Sequence, residues 1–250
     1  MAVHSEVIRL DNPNASVLLR WDNIWDDPTA DIGSRARAMR NKACTKEPWT
    51  TAFIEQLPPN STLYDIGANV GSYSLLAAAL GHSVIALEPF PMNYERLVEN
   101  IQFNHFADRI LPLPVAVAGQ NRWDWLQVVD REGWTAGSAS FVIGQAPGNQ
   151  PMLIRRTPIM VFTLDTLIEQ FRLPVPTHIK LDIDGNEPQA LGGATKALAS
   201  ASAMMAEFKP SQEEAILADL VSRGFELRGR WDERQGQKIG VVYCYLVRNG

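Results

Sequence analysis

Apolar residues recur with two alternating periods between residues 61 and 118. Short runs of consecutive apolar residues predict buried strands, and apolar residues spaced by three or four predict helices with one apolar face. Gly81 is a natural stop for the first helix, and the second shows the helical spacing from Tyr94 onwards. In chain order the pattern predicts strand Ser61–Ile66, helix Ser72–Leu80, strand Ser83–Leu87, a helix opened by Pro89 and Pro91, and strand Ile110–Ala118.

The same alternation returns after residue 178. Ser211 with Glu214 three residues later resembles a capping box at the start of a helix, and Gly224 would end that helix. The elements predicted here are strand His178–Ile183, helix Pro188–Ala199, strand Ala201–Glu207, the capped helix, and two closing strands, Phe225–Arg230 and Gly240–Val247, paired as an antiparallel hairpin. Repeated strand, helix, strand units predict an α/β fold with a mostly parallel sheet covered on both faces. A ligand crevice is then expected at the carboxyl ends of the strands.

Two segments fall outside this alternation. Residues 1–60 are expected to form an N-terminal cap, with a helix over Lys46–Leu57, packed on a catalytic domain of residues 61–250. Residues 119–160 are rich in Gly, Ser and Pro and predict a long irregular insertion. Such a stretch inside a compact domain is typical of a substrate lid. The alternative is a β-hairpin arm that packs on itself or on a second subunit.

Composition and charge exclude several classes of protein. The net charge is −5 and Lys and Arg form no block, so we expect no nucleic-acid partner and no anionic membrane partner. Cys44 and Cys244 are far apart, and no Cys or His has the spacing of a metal site, which indicates a reducing compartment and no zinc module. No basic segment followed by an apolar one opens the sequence, and no apolar run approaches about 18 residues. We therefore expect a soluble, cytoplasmic protein.

The segment Asp65-Ile66-Gly67-Ala68-Asn69-Val70-Gly71 joins the first predicted strand to the first helix. Gly67 and Gly71 allow the backbone to turn tightly and approach a ligand. Glu88 ends the second strand about twenty residues further on, where a carboxylate can accept both hydroxyls of a ribose. The turn and the acid together predict a cofactor that contains a nucleoside. The alternative is a glycine turn that only lets helix and strand pack.

Two classes of cofactor compete for this turn. A dinucleotide fingerprint would need a glycine where Asn69 stands and a third glycine one residue later than Gly71, so the geometry for a pyrophosphate is degraded. S-adenosylmethionine has no phosphate and carries a sulfonium, so the acidic Asp65 beneath the turn is favourable to it. The residues therefore favour S-adenosylmethionine.

Three segments together resemble the FkbM-type family of S-adenosylmethionine-dependent methyltransferases: Tyr64–Ser74, Leu87–Tyr94 and Ile179–Glu187. They carry the motifs G-A-N-x-G, E-P and K-x-D-x-[D/E]-G-x-E in the order and spacing of that family, and the resemblance extends over about residues 45–210. Two positions depart from it, because Asp184 replaces a more frequent Glu and Asn186 a more frequent Ala.

This resemblance implies a class I methyltransferase fold, a Rossmann-like and mostly parallel seven-stranded sheet with helices on both faces and an antiparallel last strand. It also implies transfer of a methyl group to an oxygen of a sugar, polyketide or similar small metabolite, or, as in some relatives, to an amide nitrogen. The donor site is expected to comprise Asp65, Gly67, Ala68, Asn69, Gly71, Ser72, Glu88 and Pro89. By the class I pattern, Ala116 and Val117 would lie along the adenine, with a place in the core as the alternative.

Transfer to an alcohol requires alignment of donor and acceptor and a base for the hydroxyl proton. Lys180, Asp182 and Asp184 share one side of a buried strand by its two-residue alternation. Glu207 ends the neighbouring strand. We expect these carboxylates to orient the acceptor, with one of them as base, and Lys180 to pair with Asp182 or Asp65. The alternatives are that Asp184 caps the next helix and the cluster serves the fold, or that the three carboxylates hold a divalent cation.

Other functions stay open at this point. A nicotinamide-dependent oxidoreductase is disfavoured by Asn69 and by the lack of a Tyr-x-x-x-Lys pair or of a histidine in the crevice. A non-catalytic nucleoside-binding protein and a nucleic-acid methyltransferase are weaker candidates, the latter because the chain lacks an Asn or Asp-Pro-Pro-aromatic motif for a flipped base. The histidines are expected away from the crevice, at positions 4, 82, 105 and 178. The sequence indicates neither the identity of the acceptor nor the oligomeric state.

Overall fold

The computed structural model describes residues 5–22, 43–129, 140–144, 153–232 and 240–249. Its strands are β1 (Ser5–Arg9), β2 (Leu18–Asp22), β3 (Thr62–Ile66), β4 (Ser83–Leu87), β5 (Ile110–Leu113), β6 (Val115–Val117), β7 (Arg122–Val129), β8 (Ser140–Ile143), β9 (Leu153–Phe162), β10 (His178–Leu181), β11 (Ala203–Phe208), β12 (Phe225–Asp232) and β13 (Val242–Arg248). Its helices are α1 (Ala43–Lys46), α2 (Pro48–Glu55), α3 (Ser72–Ala79), α4 (Pro91–Phe103), α5 (Leu164–Glu169), α6 (Glu187–Gly192), α7 (Thr195–Ser200) and α8 (Glu213–Ser222).

A seven-stranded sheet forms the centre of the molecule, with the strand order β12-β13-β11-β10-β3-β4-β5. The pairs from β11 through to β5 are parallel, and β13 runs antiparallel to both of its neighbours. Two clusters of buried apolar side chains cover the two faces of this sheet. The predicted α/β fold, with a mostly parallel sheet and an antiparallel last strand, is confirmed. Because β3 and β10 are adjacent and parallel, the segments that follow them meet at one edge.

The predicted strand Ile110–Ala118 is two strands, and its second half belongs to another sheet. β5 is the edge strand of the central sheet, whereas β6 pairs with β9 in a four-stranded sheet of order β6-β9-β7-β8. Pro114 lies between them and has no N–H to continue a ladder. Pro112 is tolerated within β5 because an edge strand needs hydrogen bonds on one side only.

Two predicted helical features are wrong in detail. The helix predicted over Pro188–Ala199 is divided into α6 and α7 at Gly193. A Cβ on Gly193 would lie 2.6 Å from the carbonyl oxygen of Ala118, so this glycine permits a close approach of the backbone. The capping box at Ser211 is absent, since α8 begins at Glu213 and its N-cap residue, Gln212, makes no side-chain cap hydrogen bond. Gly224, with φ +89°, follows this helix as predicted.

The insertion at 119–160 is largely extended where the structure describes it, which corrects the expectation of an irregular stretch. β7 pairs antiparallel with both β8 and β9. Trp123 near the start of β7 is exposed, whereas Leu126 and Gln127 further along it are buried. Residues 130–139 and 145–152 lie outside the described part. Antiparallel pairing fits the hairpin alternative, but a role as lid or interface stays a prediction.

The N-terminal segment contributes the hairpin of β1 and β2, which was not foreseen, and the expected helix, which begins at Pro48 as α2. Phe53 and Ile54 of α2 are buried in the cluster that also contains Met205 of the central sheet. The division into a cap of residues 1–60 and a domain of 61–250 stays a prediction, because residues 23–42 lie outside the described part.

His178 begins β10 at the amino edge of the sheet, where its side chain is buried beside the ring of Phe53. Burial, reinforced by the nearby His82, lowers the pKa of His178. A histidine whose pKa is lower in the folded state than in the unfolded state favours unfolding when it is protonated. Its contribution to stability is therefore complete above about pH 6.5 and is lost as the pH falls from there through the lower folded pKa.

We expect the thermal midpoint to fall between pH 7.5 and pH 5.5, and to fall less in His178→Gln, because glutamine does not titrate. Calorimetry of both proteins at the two pH values measures the difference. His105→Gln is the matched control, since His105 is exposed, and it should behave like the unsubstituted protein. An equal fall in His178→Gln would contradict the assignment.

Candidate active site

The turn after β3 is packed directly against the end of β10. Gly67 has φ +84°, and a Cβ on it would lie 1.9 Å from the carbonyl oxygen of Asp182. Gly71 has φ +96°, and a Cβ there would lie 2.6 Å from a methyl group of Leu97. Both positions therefore need glycine for conformation and for space. Asn69, between them, also adopts a positive φ of 55°, which asparagine tolerates better than most residues.

Most backbone amides of this turn donate within the protein. Gly67 and Ala68 both donate to the carbonyl oxygen of Leu87, each at 3.0 Å. The amide of Gly71 donates to Ala68, and that of Asn69 donates to Oε2 of Glu88 at 2.8 Å. A dinucleotide turn presents its free amides to a pyrophosphate. The amides named here are already used, so this turn is poorly suited to bind one.

Glu88 is fixed at the carboxyl end of β4. Its side chain is buried, Oε2 accepts from the amide of Asn69, and Oε1 accepts from the amide of Phe90 at 2.9 Å. Both carboxylate oxygens therefore take part in hydrogen bonds with the backbone, which fixes their orientation. Pro89 follows directly and is half-buried. The structure thus holds a rigid pair of acceptor oxygens next to the turn, as a ribose site requires.

Lys180 connects the turn to the acidic side chains. Its buried Nζ donates to the carbonyl oxygen of Gly67 at 3.1 Å, and it lies 3.2 Å from Oδ1 of Asp65 and 3.5 Å from Oδ2 of Asp182. The expected ion pair is confirmed with both carboxylates. Burial by itself lowers the pKa of Lys180, but the negative charges of Asp65, Asp182 and Glu47 outweigh that effect and raise it. Lys180 is therefore a fixed positive charge.

Asp65 is completely buried beneath the turn. Besides the ion pair with Lys180, its Oδ2 accepts from the hydroxyl of Ser74 at 2.6 Å. Asp65 is thus ion-paired with Lys180 and held by Ser74 of α3. Its negative charge contributes to the field at the turn, while the carboxylate itself supports Lys180.

Asp182 and Glu207 line one small cleft at the carboxyl edge of the sheet. The residues around it are Glu47, Thr50, Lys180, Leu181, Asp182, Met205, Glu207 and Tyr243. The side chain of Asp182 is 31% exposed, and Glu207 lies opposite Tyr243 in the pairing of β11 with β13. Burial, followed by the charges of Asp182 and Glu47, raises the pKa of Glu207 well above its usual range, although a hydrogen bond to Tyr243 acts in the opposite direction. The cleft therefore combines Asp182, which is anchored by Lys180, with Glu207, whose raised pKa lets it retain a proton more readily.

Asp184 does not line this cleft. It is exposed in a turn with φ 57°, and its carbonyl oxygen accepts from Nζ of Lys209 at 2.6 Å. The alternative role as a helix cap is also wrong, since Asn186 is the N-cap residue of α6. In the described part of the chain, no group of three or more His, Cys, Asp or Glu is arranged to hold a metal ion. Asp182, Asp184 and Glu207 therefore do not form the divalent-cation site that the sequence left open.

The other residues expected to bind the methyl donor are Ala68, Ser72, Ala116 and Val117. Ala68 and Ser72 are buried in the turn and at the start of α3. Ala116 and Val117 are buried in β6, outside the central sheet, where Ala116 packs with Phe90. This packing agrees with the alternative that they are core residues. Contact of either residue with an adenine stays a prediction.

Sequence reasoning missed Glu47, Thr50 and Tyr243 as part of the cleft. Glu47 precedes Pro48, a dipeptide that marks only a helix start, and its burial follows from the packing of α2 on the sheet. Tyr243 is directly opposite Glu207 across the β11–β13 pair. That pairing was the one signal for Tyr243 in the sequence, and it could be used only if the register of the last strand was predicted correctly.

Trp49 packs against two other aromatic rings. Its ring stacks on Trp231 at 5.7 Å between centroids and lies 5.4 Å from the ring of Tyr243.

The histidines are away from the cleft, as expected: His82 and His178 lie at the amino edge of the sheet and His105 follows α4. His4 lies outside the described residues.

Comparison with known proteins identifies the family. The profile described as Methyltransferase FkbM domain matches residues 65–227, more than half of the chain. The hexuronic acid methyltransferase AglP of Haloferax volcanii is 23% identical over 173 residues, which cover 68% of this chain and 65% of AglP. The match thus spans slightly less than two thirds of that relative.

Solved structures with the same fold include several methyltransferases. The M. jannaschii tRNA m1G37 methyltransferase superposes with a TM-score of 0.54 at 12% identity, covering 100% of this chain and 58% of that chain. The complex of P. horikoshii TYW2 with MeSAdo superposes with a TM-score of 0.53 at 13% identity, covering 98% and 72%. At this identity the likeness shows the fold alone. Since tRNA methyltransferases share the fold, the expectation of no nucleic-acid partner rests on charge only.

No helix in the described residues has the length and apolar character needed to cross a membrane. The central sheet, with its antiparallel strand β13, is that of the class I S-adenosylmethionine-dependent methyltransferases, as the sequence predicted. The matched profile begins at Asp65 and includes the turn, Glu88, Lys180, Asp182 and Glu207. This chain belongs to the FkbM methyltransferase family.

Proposed function

We propose that this protein binds S-adenosylmethionine at the turn and Glu88, and transfers its methyl group to an oxygen of a small hydroxylated metabolite of the sugar class. The observation that carries the proposal is the position of Lys180, which holds Gly67 of the turn and Asp182 of the cleft at the same time. A donor held at the turn and an acceptor in the cleft would thus lie against one rigid element. Such alignment is the main requirement of an in-line displacement.

The residues around the turn suit S-adenosylmethionine better than a dinucleotide. Its nucleoside can hydrogen-bond to the two fixed oxygens of Glu88. It has no pyrophosphate, so it does not require unused backbone amides in the turn. Asp65, Asp182 and Glu47 provide negative charge near the place where a sulfonium would lie. When it is bound, S-adenosylmethionine supplies an electrophilic methyl group on a positively charged sulfur.

We assign different roles to Asp182 and Glu207 in binding and activating the acceptor. Asp182 is anchored by Lys180 but partly exposed in the cleft, so we assign to it the uptake of the hydroxyl proton. The raised pKa of Glu207 lets it keep a proton and donate a hydrogen bond to a second acceptor oxygen. Together they would orient the hydroxyl for attack.

The sugar class is supported by AglP, whose name describes a hexuronic acid methyltransferase. An amide nitrogen is the second candidate for the acceptor atom, since the cleft carboxylates can also orient an N–H group. The nicotinamide-dependent alternative loses support from membership of a methyltransferase family and from the occupied amides of the turn. A non-catalytic nucleoside-binding protein would bind S-adenosylmethionine but form no methylated product with any acceptor.

Ligand binding is tested by thermal midpoints with S-adenosylmethionine, its demethylated product, NAD and no ligand. A ligand at one hundred times its dissociation constant adds about 2.7 kcal/mol, which at this size raises the midpoint by roughly 5 to 10 °C. We expect this shift with S-adenosylmethionine or its product only. In Glu88→Gln the shift should largely disappear, because the amide group cannot accept from the backbone and from a ribose on both sides.

Glu214→Gln serves as the matched control, since Glu214 is an exposed residue of α8. It should keep the full shift. A shift with NAD alone would contradict the proposed cofactor.

Turnover is tested by Asp182→Asn. We expect a loss of at least about a hundredfold in kcat, the lower range of general base contributions, with an unchanged thermal midpoint, because Lys180 keeps its partner Asp65. Asp184→Asn should retain most of its activity, since Asp184 lies outside the cleft and asparagine tolerates its positive φ. Product formation is followed by mass spectrometry with hydroxylated acceptors. Full activity of Asp182→Asn would show that another group removes the proton.

A further inference from the structure

Residues 182–187 follow β10 and form a loop that touches both the cleft and the turn. Asp182, at the start of this 182–187 loop, lines the cleft. Its carbonyl oxygen lies 1.9 Å from the place that a Cβ on Gly67 would occupy, and the Cγ2 methyl group of Ile183 lies 3.2 Å from the same place. The conformation of this loop therefore decides how Asp182 is placed relative to the turn.

Glu187 is the buried acid of this loop. It is 2% exposed and is not among the described residues that line the cleft. Its Oε1 accepts from the amide of Gly185 at 2.9 Å and from the amide of Ile183 at 3.1 Å. Its Oε2 is buried and has no hydrogen-bond partner in the part of the chain that the structure describes. A single oxygen atom thus holds two amides of the loop.

The peptide unit between Asp182 and Ile183 connects Glu187 to the turn. Its N–H donates to Glu187, and its carbonyl oxygen is the atom packed against Gly67. A trans peptide unit is planar, and its N–H and C=O point in opposite directions. The same plane contains the Cα of Asp182, from which the carboxylate extends. By holding the N–H, Glu187 therefore orients both the carbonyl group that meets the turn and the residue that enters the cleft.

Other side chains hold the carbonyl oxygens of the loop, but its amides at 183 and 185 depend on Glu187. The carbonyl contacts are Asn186 Nδ2 to Ile183 at 3.0 Å, Lys209 Nζ to Asp184 at 2.6 Å, and Gln212 Nε2 to Gly185 at 3.0 Å. A buried amide that loses its acceptor is costly. Without an acceptor at the position of Oε1, the loop would have to change its conformation.

The surroundings of Glu187 do not favour a negative charge. Burial raises its pKa, the amides of Gly185 and Ile183 act in the opposite direction, and the nearby Asp182 raises the pKa further. Within the described residues no cation forms an ion pair with Glu187 at 4.0 Å or less. What the loop requires at this position is an acceptor oxygen with sufficient reach.

Resting on the proposed methyl transfer, we infer that Glu187 is a positioning residue, which sets Asp182 against the turn through the peptide unit of Asp182 and Ile183, by hydrogen bonding and not by charge. Its effect on the rate arises because alignment is the main requirement of the reaction, and a displacement of about 1 Å can lower a rate by about a hundredfold.

Two substitutions separate reach from charge. Glu187→Gln removes the charge but keeps an acceptor oxygen at the same distance, so we expect kcat to stay within about threefold of its original value. Glu187→Asp keeps the charge but withdraws the carboxyl group by one bond, about 1.5 Å, so it no longer reaches both amides. We expect it to lower kcat by about tenfold or more, with little change in the KM of the acceptor.

The rates are measured on the full chain with saturating S-adenosylmethionine and three methyl glycosides: glucoside, glucosaminide and glucuronide. Mass spectrometry of the methylated product gives kcat and KM for the best of them. Glu214→Asp is the matched control, because Glu214 is an exposed glutamate in the first turn of α8, as Glu187 is in the first turn of α6. It should leave kcat unchanged. The thermal shift with S-adenosylmethionine should persist in every variant, since Gly67 keeps its contacts with Leu87 and Lys180.

The Asp182→Asn background shows whether Glu187 acts through Asp182. If it does, Glu187→Asp lowers the residual kcat of that variant by less than about twofold, because the group that it positions has already been removed. A general effect on the fold would lower kcat by the same factor in both backgrounds.

Three results would overturn the inference while leaving the methyl transfer intact: an unchanged kcat in Glu187→Asp, a large loss in Glu187→Gln, or an equal loss in both backgrounds. Should Glu187→Asp fail to fold, Glu187→Gln decides, since a carboxylate needed for its charge would not tolerate the amide. If the unsubstituted protein binds S-adenosylmethionine but methylates none of the three glycosides, the proposed sugar class is wrong, and failure to bind S-adenosylmethionine would remove the proposed function itself.

Discussion

The buried ammonium of Lys180 is the interaction on which the site depends. It lies at the junction of β3 and β10 and holds Asp65, Asp182 and the carbonyl oxygen of Gly67 within 3.5 Å. Leaving a buried charge without its partner costs about 3 to 5 kcal/mol, so these groups fix one another. The same contacts set the turn against the end of β10, and the cleft opens beside that junction. The turn and the cleft, at which we propose that donor and acceptor bind, are therefore held together by one ion-paired lysine.

The close approach of the turn explains why its sequence is so restricted. Gly67 leaves no room for a Cβ against Asp182, and Asn69 donates its backbone amide to Glu88 at the end of the next strand. The backbone of the turn is thus fixed by buried side chains on the strands beside it, because Gly67 accepts from Lys180 and Asn69 donates to Glu88. This rigidity suits a reaction in which the protein mainly aligns two reactants.

The parallel sheet, its helices and the turn could be predicted from the sequence because each depends on local pattern. Runs such as Ser83–Leu87 specify buried strands, and the pairing of Lys180 followed from the alternation along one strand. The errors arise where tertiary contacts decide. β6 leaves the central sheet after Pro114, α6 and α7 separate where Gly193 meets Ala118, and Asp184 turns away from Asp182 through its positive φ. None of these has a periodic signal.

The cleft residues missed by sequence reasoning share a physical reason. Glu47 and Tyr243 are separated by 196 of the 250 residues (243 − 47). They meet because α2 packs over the row formed by Glu207, Tyr243 and Trp231 across three strands. Long-range pairing of this kind cannot be read from local composition. The cleft is therefore shared between two parts of the chain: Lys180, Asp182 and Glu207 lie in the segment that the family profile matches, and Glu47 and Tyr243 lie in the elements that flank it.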